Sequence, residues 1–79
     1  MRDTVACGAR LLQMRRKLDN ISRERFSAVI GVSARTLQDW EAGISYPAYK
    51  HLAQLNTRTG VCLNWLITGE GEPGMLRLS

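Results

Sequence analysis

Ser22-Arg23-Glu24-Arg25-Phe26-Ser27-Ala28-Val29-Ile30-Gly31-Val32-Ser33-Ala34-Arg35-Thr36-Leu37-Gln38-Asp39-Trp40-Glu41-Ala42-Gly43 is the stretch that decides the fold. Phe26, Val29 and Ile30 form an apolar stripe at helical intervals that ends at Gly31, and Leu37 and Trp40 resume that spacing beyond it. Ser22 is a good N-cap, with Glu24 in the dipole-favoured first turn, so a short helix is predicted over Arg23 to Ile30. Gly31 supplies a turn with positive φ, Val32 plugs it, and Ser33 caps a further helix from about Ala34 to Ala42, closed by Gly43. Ser27 is small enough to let the two helices approach closely. Short helices held near a right angle need this arrangement, because the apolar residues of each must reach one shared core.

On the N-terminal side, Val5, Ala6, Ala9, Leu11, Leu12, Met14 and Leu18 predict a helix over about Thr4 to Leu18, and Asp19-Asn20 supplies turn chemistry after it. On the C-terminal side, Pro47 suits a helix entry. Ala48, Tyr49, Leu52, Ala53 and Leu55 read as one apolar face of a helix over about Ala48 to Thr59, stopped by Gly60. A short fifth helix is expected from about Leu63, ending at Thr68-Gly69. Glu70-Gly71-Glu72-Pro73-Gly74 looks like a linker, and Met75 to Ser79 is unassigned. The expected fold is therefore all-α, a five-helix domain over residues 1–69 with a linker or C-terminal tail over 70–79.

The 79-residue length allows one core and leaves little room for a separate catalytic domain. Residues 1–50 carry nine Lys or Arg against five Asp or Glu, while residues 51–79 carry two of each, so the whole net charge of +4 lies in the first part. A basic half suits a partner bearing phosphates, although many solvated surfaces carry as much charge. No apolar run approaches the roughly 18–20 residues of a membrane span, and the N-terminus, with Arg2, Asp3 and Arg10, has no signal-peptide core, so a cytoplasmic location is expected. Cys7 and Cys62 lack metal-ligand spacing, with His51 the one histidine, and are read as reduced, largely buried thiols. No metal, cofactor or small-molecule ligand is expected. Neither a catalytic triad nor a phosphate-cradling glycine loop occurs, so an enzyme is not expected.

With Leu37 and Trp40 turned inward, the opposite side of their helix is free to carry Ala34, Arg35, Gln38 and Asp39. An exposed helix of that width fits the major groove of B-DNA. Arg35 suits guanine O6 and N7, Gln38 suits adenine N6 and N7, Asp39 can accept from cytosine N4, and Ala34 can touch a thymine methyl. Trp40 is read as core. His51 is read as a surface residue, and Arg15-Arg16-Lys17 as either a solvated basic helix end or a phosphate patch.

The ordered set Ser22-Arg23-Glu24-Arg25-Phe26, Gly31-Val32-Ser33, Thr36-Leu37-Gln38-Asp39-Trp40-Glu41-Ala42-Gly43, Pro47 and Leu63-Asn64-Trp65-Leu66-Ile67-Thr68-Gly69-Glu70-Gly71 resembles the lambda repressor/Cro-like (Xre-type) helix-turn-helix family over about Arg10 to Gly71. The resemblance implies a prokaryotic or phage transcription regulator that binds a double-stranded DNA operator as a homodimer. It further implies base contacts by Arg35, Gln38 and Asp39, and phosphate contacts by Arg23, Ser33, the loop Ile44-Ser45-Tyr46 and Lys50. It also implies a bracing pair between Glu41 and a first-helix arginine, Arg15. Three features depart from the family pattern: Arg23 stands where Gln is usual, Asp39 stands where a neutral or basic residue is common, and Asp19-Asn20-Ile21 holds one residue more than the usual connection.

Leu63, Trp65, Leu66 and Ile67 are very apolar for a short last helix. They are either core or, for Leu63, Trp65 and Leu66, a dimer interface that Met75, Leu76 and Leu78 could extend. Two alternatives stand beside the DNA-binding regulator: a protein-interaction adaptor on the same fold, favoured by Asp39, and the N-terminal domain of a longer repressor, suggested by the linker-like residues 68–73.

Overall fold

The computed structural model describes residues 3–78, so Arg2 and the terminal Ser79 lie outside the described residues. Five helices follow one another: α1 over Thr4–Lys17, α2 over Arg23–Ile30, α3 over Ala34–Glu41, α4 over Tyr49–Thr59 and α5 over Leu63–Thr68. No strand occurs among the described residues. The all-α expectation is met, and each boundary falls within a residue or so of its predicted place.

Capping chemistry sets most of those boundaries. Asp3 Oδ1 accepts from the Ala6 amide at 2.9 Å, Ser22 Oγ from Arg25 at 3.2 Å, and Ser33 Oγ from Thr36 at 3.1 Å, each satisfying an amide that the helix itself leaves unbonded. Gly31 ends α2 at φ 79°, a left-handed conformation that costs a side-chain-bearing residue energy, and this reverses the chain into α3. Asp19 and Asn20 take φ values of 58° and 54°; they are among the few non-glycine residues that adopt this region readily, which accommodates the longer α1–α2 connection.

All five helices and their connections contribute to one core. Its members include Cys7, Leu11 and Met14 from α1, Phe26 and Ile30 from α2, Leu37 and Trp40 from α3, Leu52 and Leu55 from α4, and Trp65 and Leu66 from α5. Gly8 carries no side chain where α1 crosses the end of α3: a methyl there would lie 2.9 Å from the Glu41 carbonyl oxygen and closer still to that of Trp40. Arg10 ties α1 to α5, donating from Nε to the Leu66 carbonyl at 2.7 Å and from Nη2 to that of Ile67 at 3.0 Å. A guanidinium at these last carbonyls serves as a C-terminal cap and opposes the helix dipole.

Several expectations are corrected by burial. Trp65 and Leu66, read as either core or dimer interface, are 6% and 0% exposed within the single chain and fill its own core. Leu63 is half-buried against the same core. Cys62 is exposed, whereas Cys7 is buried as expected; both are free thiols. Tyr49, expected on the apolar face of α4, is 84% exposed, and Ala48 and Ala53 are exposed too, because the inward face of that helix is narrower, formed by Leu52, Leu55 and Thr59. His51 is half-buried, not a free surface residue: its ring lies 5.1 Å from that of Trp40, and its Nδ1 is buried without a hydrogen-bond partner.

Beyond α5 the chain turns back along the domain. The Cys62 amide donates to the Pro73 carbonyl at 2.7 Å, the Arg77 amide donates to that of Thr59 at 2.9 Å, and Leu76 packs against the core. Residues 73–77 are thus held against the α4–α5 connection.

Candidate nucleic-acid interface

α3 has only eight residues and is amphipathic over that short span, so its core side chains decide which way the rest of it points. Leu37 and Trp40 are 0% and 3% exposed. Three apart, they occupy one face of the helix. Arg35 and Gln38 are consequently exposed, with Asp39 and Ala34 partly so. The residues proposed to read bases therefore share the outward side of one helix, whose inner side is clamped by the core.

The inner end of α3 is clamped a second time by charge. Glu41, 5% exposed, accepts from Arg15 Nε at 2.7 Å and Nη2 at 3.2 Å, and from Arg23 Nε at 3.2 Å. Arg15 also donates from Nη1 to the Ile21 carbonyl at 2.8 Å. The expected Arg15–Glu41 pair is present, and Arg23 is its second arm. A buried carboxylate is tolerable only with such partners, since desolvating an unpaired charge is costly. Arg23 was expected at a phosphate; its Nε is committed to Glu41, although the side chain stays 36% exposed. The first turn of α2 also holds Arg25, an exposed cation that sequence reasoning passed over.

Arg35 is 81% exposed, and its Nε lies 3.4 Å from Asp39 Oδ1, one helical turn away. The carboxylate that departs from the family pattern thus has a cation beside it. Ser33 and Thr36 share a 2.9 Å hydroxyl contact in which either oxygen can donate; with Thr36 donating, the Ser33 O–H is free for an oxygen acceptor.

After α3, the Ile44 and Ser45 amides both donate to the Asp39 carbonyl, at 2.9 and 3.4 Å, which fixes the start of the loop. Ile44 is 73% exposed, and Ser45 and Lys50 are exposed as expected of phosphate-facing groups. Tyr46 departs from that expectation. It packs against the core and hydrogen-bonds the Cys7 thiol, so its side chain is directed inward. Burial pushes the Cys7 thiol above its ordinary pKa, partly offset by the Arg10 charge and the Tyr46 hydrogen bond.

Among the described residues no cluster of His, Cys, Asp and Glu could hold a metal ion, and no helix is long and apolar enough to cross a membrane. Gly8 and Arg10 were the site-supporting residues missed from sequence. Gly8 could have been found as a glycine inside a helical pattern, a signal of close approach; the partner of Arg10 lies more than fifty residues away and left no local signal.

In comparisons with known proteins, residues 12–66 match a family model described as Helix-turn-helix, of the lambda repressor/Xre-like type. Neither the comparison with curated proteins nor that with solved structures returns a match.

Proposed function

The chain belongs to the lambda repressor/Xre-like helix-turn-helix family, a family of DNA-binding regulators, and from that premise we propose that it is a sequence-specific transcriptional repressor or Cro-like protein. It binds a palindromic operator as a homodimer, with α3 of each subunit in successive major grooves about one helical turn apart. Occlusion of a promoter is the mechanism, carried out in the cytoplasm at the nucleoid. The observation that carries this reading is the two-sided α3: Leu37 and Trp40 buried, Arg35 and Gln38 exposed.

Affinity and selectivity come from different parts of the surface. α3 itself offers one arginine against Asp39 and the sequestered Glu41, so it adds little net attraction for phosphate. Arg25, Lys50, Ser33 and Ser45 around it supply the sequence-independent grip, with Arg23 contributing through whatever reach its Glu41 contact leaves. Arg35 reads guanine and Gln38 adenine, with Ala34 against a thymine methyl. Dimerisation uses surface outside the Trp65–Leu66 core, where Leu63 remains partly exposed.

Selection from a pool of random duplexes at about 0.15 M salt, followed by sequencing, tests the reading. Enrichment of a palindrome supports it. A folded protein that enriches no sequence overturns it and points to the adaptor alternative, whose partner contact through an apolar surface would be nearly insensitive to salt, unlike one made through phosphates.

A further inference from the structure

Arg35 and Asp39 stand one turn apart on the outward side of α3, with Arg35 Nε 3.4 Å from Asp39 Oδ1. We propose that the two act as one reading unit in which Asp39 is a positioning residue, presenting the Arg35 guanidinium tip-first to a guanine. The inference rests on the DNA-reading role proposed above and deepens it by naming the residue that enforces the contact of Arg35 with guanine.

The guanidinium has two usable edges, and the pairing assigns them. Its Nε–H is directed to Asp39, which leaves the two Nη groups at the tip. Those parallel donors match guanine O6 and N7 in the major groove; adenine would set its own N6 donor against them. An arginine free to swing finds phosphate oxygens as readily as bases, and a phosphate contact carries no sequence information. Asp39 opposes that swing twice, by holding Nε and by repelling the phosphates. Its remaining acceptor capacity is available to a cytosine N4 amino group.

Charge placement supports this division. Glu41 is enclosed by Arg15 and Arg23, so Asp39 is the α3 carboxylate left beside the reading face. A carboxylate there costs general affinity for DNA, and any gain it brings must lie in selectivity. An exposed pair of this kind holds weakly in water. Inside a groove from which water is displaced it tightens as the local dielectric falls. The backbone under Asp39 is fixed as well, since its carbonyl takes both the Ile44 and Ser45 amides.

The experiment uses the full chain, its Arg35→Ala, Asp39→Ala and Asp39→Asn variants, the duplex enriched by selection, and copies in which each G·C pair is changed to A·T in turn. Thermal melting confirms that each variant is folded. The wild type is expected to lose roughly 5- to 150-fold at one guanine in each half-site, the range of a bidentate base contact. Arg35→Ala should lose that discrimination. Asp39→Ala should lose most of it at the same guanine while binding an unrelated duplex more tightly, and Asp39→Asn, which keeps an acceptor without the charge, should fall between. An Asp39→Ala protein that discriminates at that guanine as well as the wild type overturns the pairing, as does an Arg35→Ala protein that still discriminates. In both cases the DNA-reading role survives. A wild type that enriches no sequence overturns that role and the pairing together.

Discussion

Arg15 on α1 and Glu41 at the end of α3 form a two-bond ion pair, Nε to Oε2 at 2.7 Å and Nη2 to Oε1 at 3.2 Å, in a place where the glutamate is 5% and the arginine 13% exposed. The pair joins the first helix of the chain to the base of the proposed reading helix. Positioning of the outward side chains of α3 therefore depends on a contact made on its inner side.

Replacing Arg15 with Ala leaves Glu41 buried with only the longer Arg23 contact, and should cost about 3 kcal/mol, since loss of one partner strands a desolvated charge. Replacing Arg23, whose side chain is 36% exposed, should cost under about 1 kcal/mol. Urea denaturation of the two variants checks the order. Equal losses would contradict the different roles assigned to the two arginines.

Gly8→Ala should destabilise the domain although alanine is the better helix former by about 1 kcal/mol. The added methyl meets the Trp40 and Glu41 carbonyls, which are backbone and cannot turn aside, so a net loss of about 2 kcal/mol is expected. A melting temperature lower by roughly 10 °C would follow for a domain of this size. A stabilised variant would show that α1 does not press on α3 as closely as described.

The contrast between these sites shows what a sequence makes legible. Leu37, Trp40, Gly31 and the capping serines act over three or four residues, so spacing alone located α2, α3 and the outward side of α3. The partners of Arg10 and Gly8 lie far along the chain, on α5 and α3, and no local pattern names them. Trp65 and Leu66 were ambiguous for the same reason: composition marks them as needing burial but does not say which surface covers them. The resemblance places Tyr46 at a phosphate, whereas the core it packs against, and the Cys7 thiol beside it, are remote in sequence.

The two thiols should differ sharply. Exposed Cys62 should react quickly with an aromatic disulfide reagent, while buried Cys7 should react only through opening of the fold. Cys62→Ser should remove the fast phase alone. Because burial holds the folded Cys7 pKa above its ordinary value of 9.0, the folded state keeps a proton that the unfolded chain releases. That contribution is whole below about pH 9 and is lost as pH rises through the raised folded pKa. Melting curves between about pH 7 and about pH 10.5 should fall less steeply for Cys7→Ala than for the wild type; parallel declines would contradict the assignment.

A chain stopping at Glu72 loses the Pro73 and Thr59 backbone bonds and the packing of Leu76. It should be less stable by about 1–3 kcal/mol, given the usual worth of such bonds and a part-buried leucine. An unchanged melting temperature would mean that residues 73–78 add nothing to the fold.

Whether α3 reads sequence in double-stranded DNA is tested most directly by the affinity of the wild type for its enriched duplex and for a scrambled one of equal length at about 0.15 M salt. A specific site should bind at least about 1,000-fold more tightly than the scrambled duplex. Equal affinity for the two would contradict the claim.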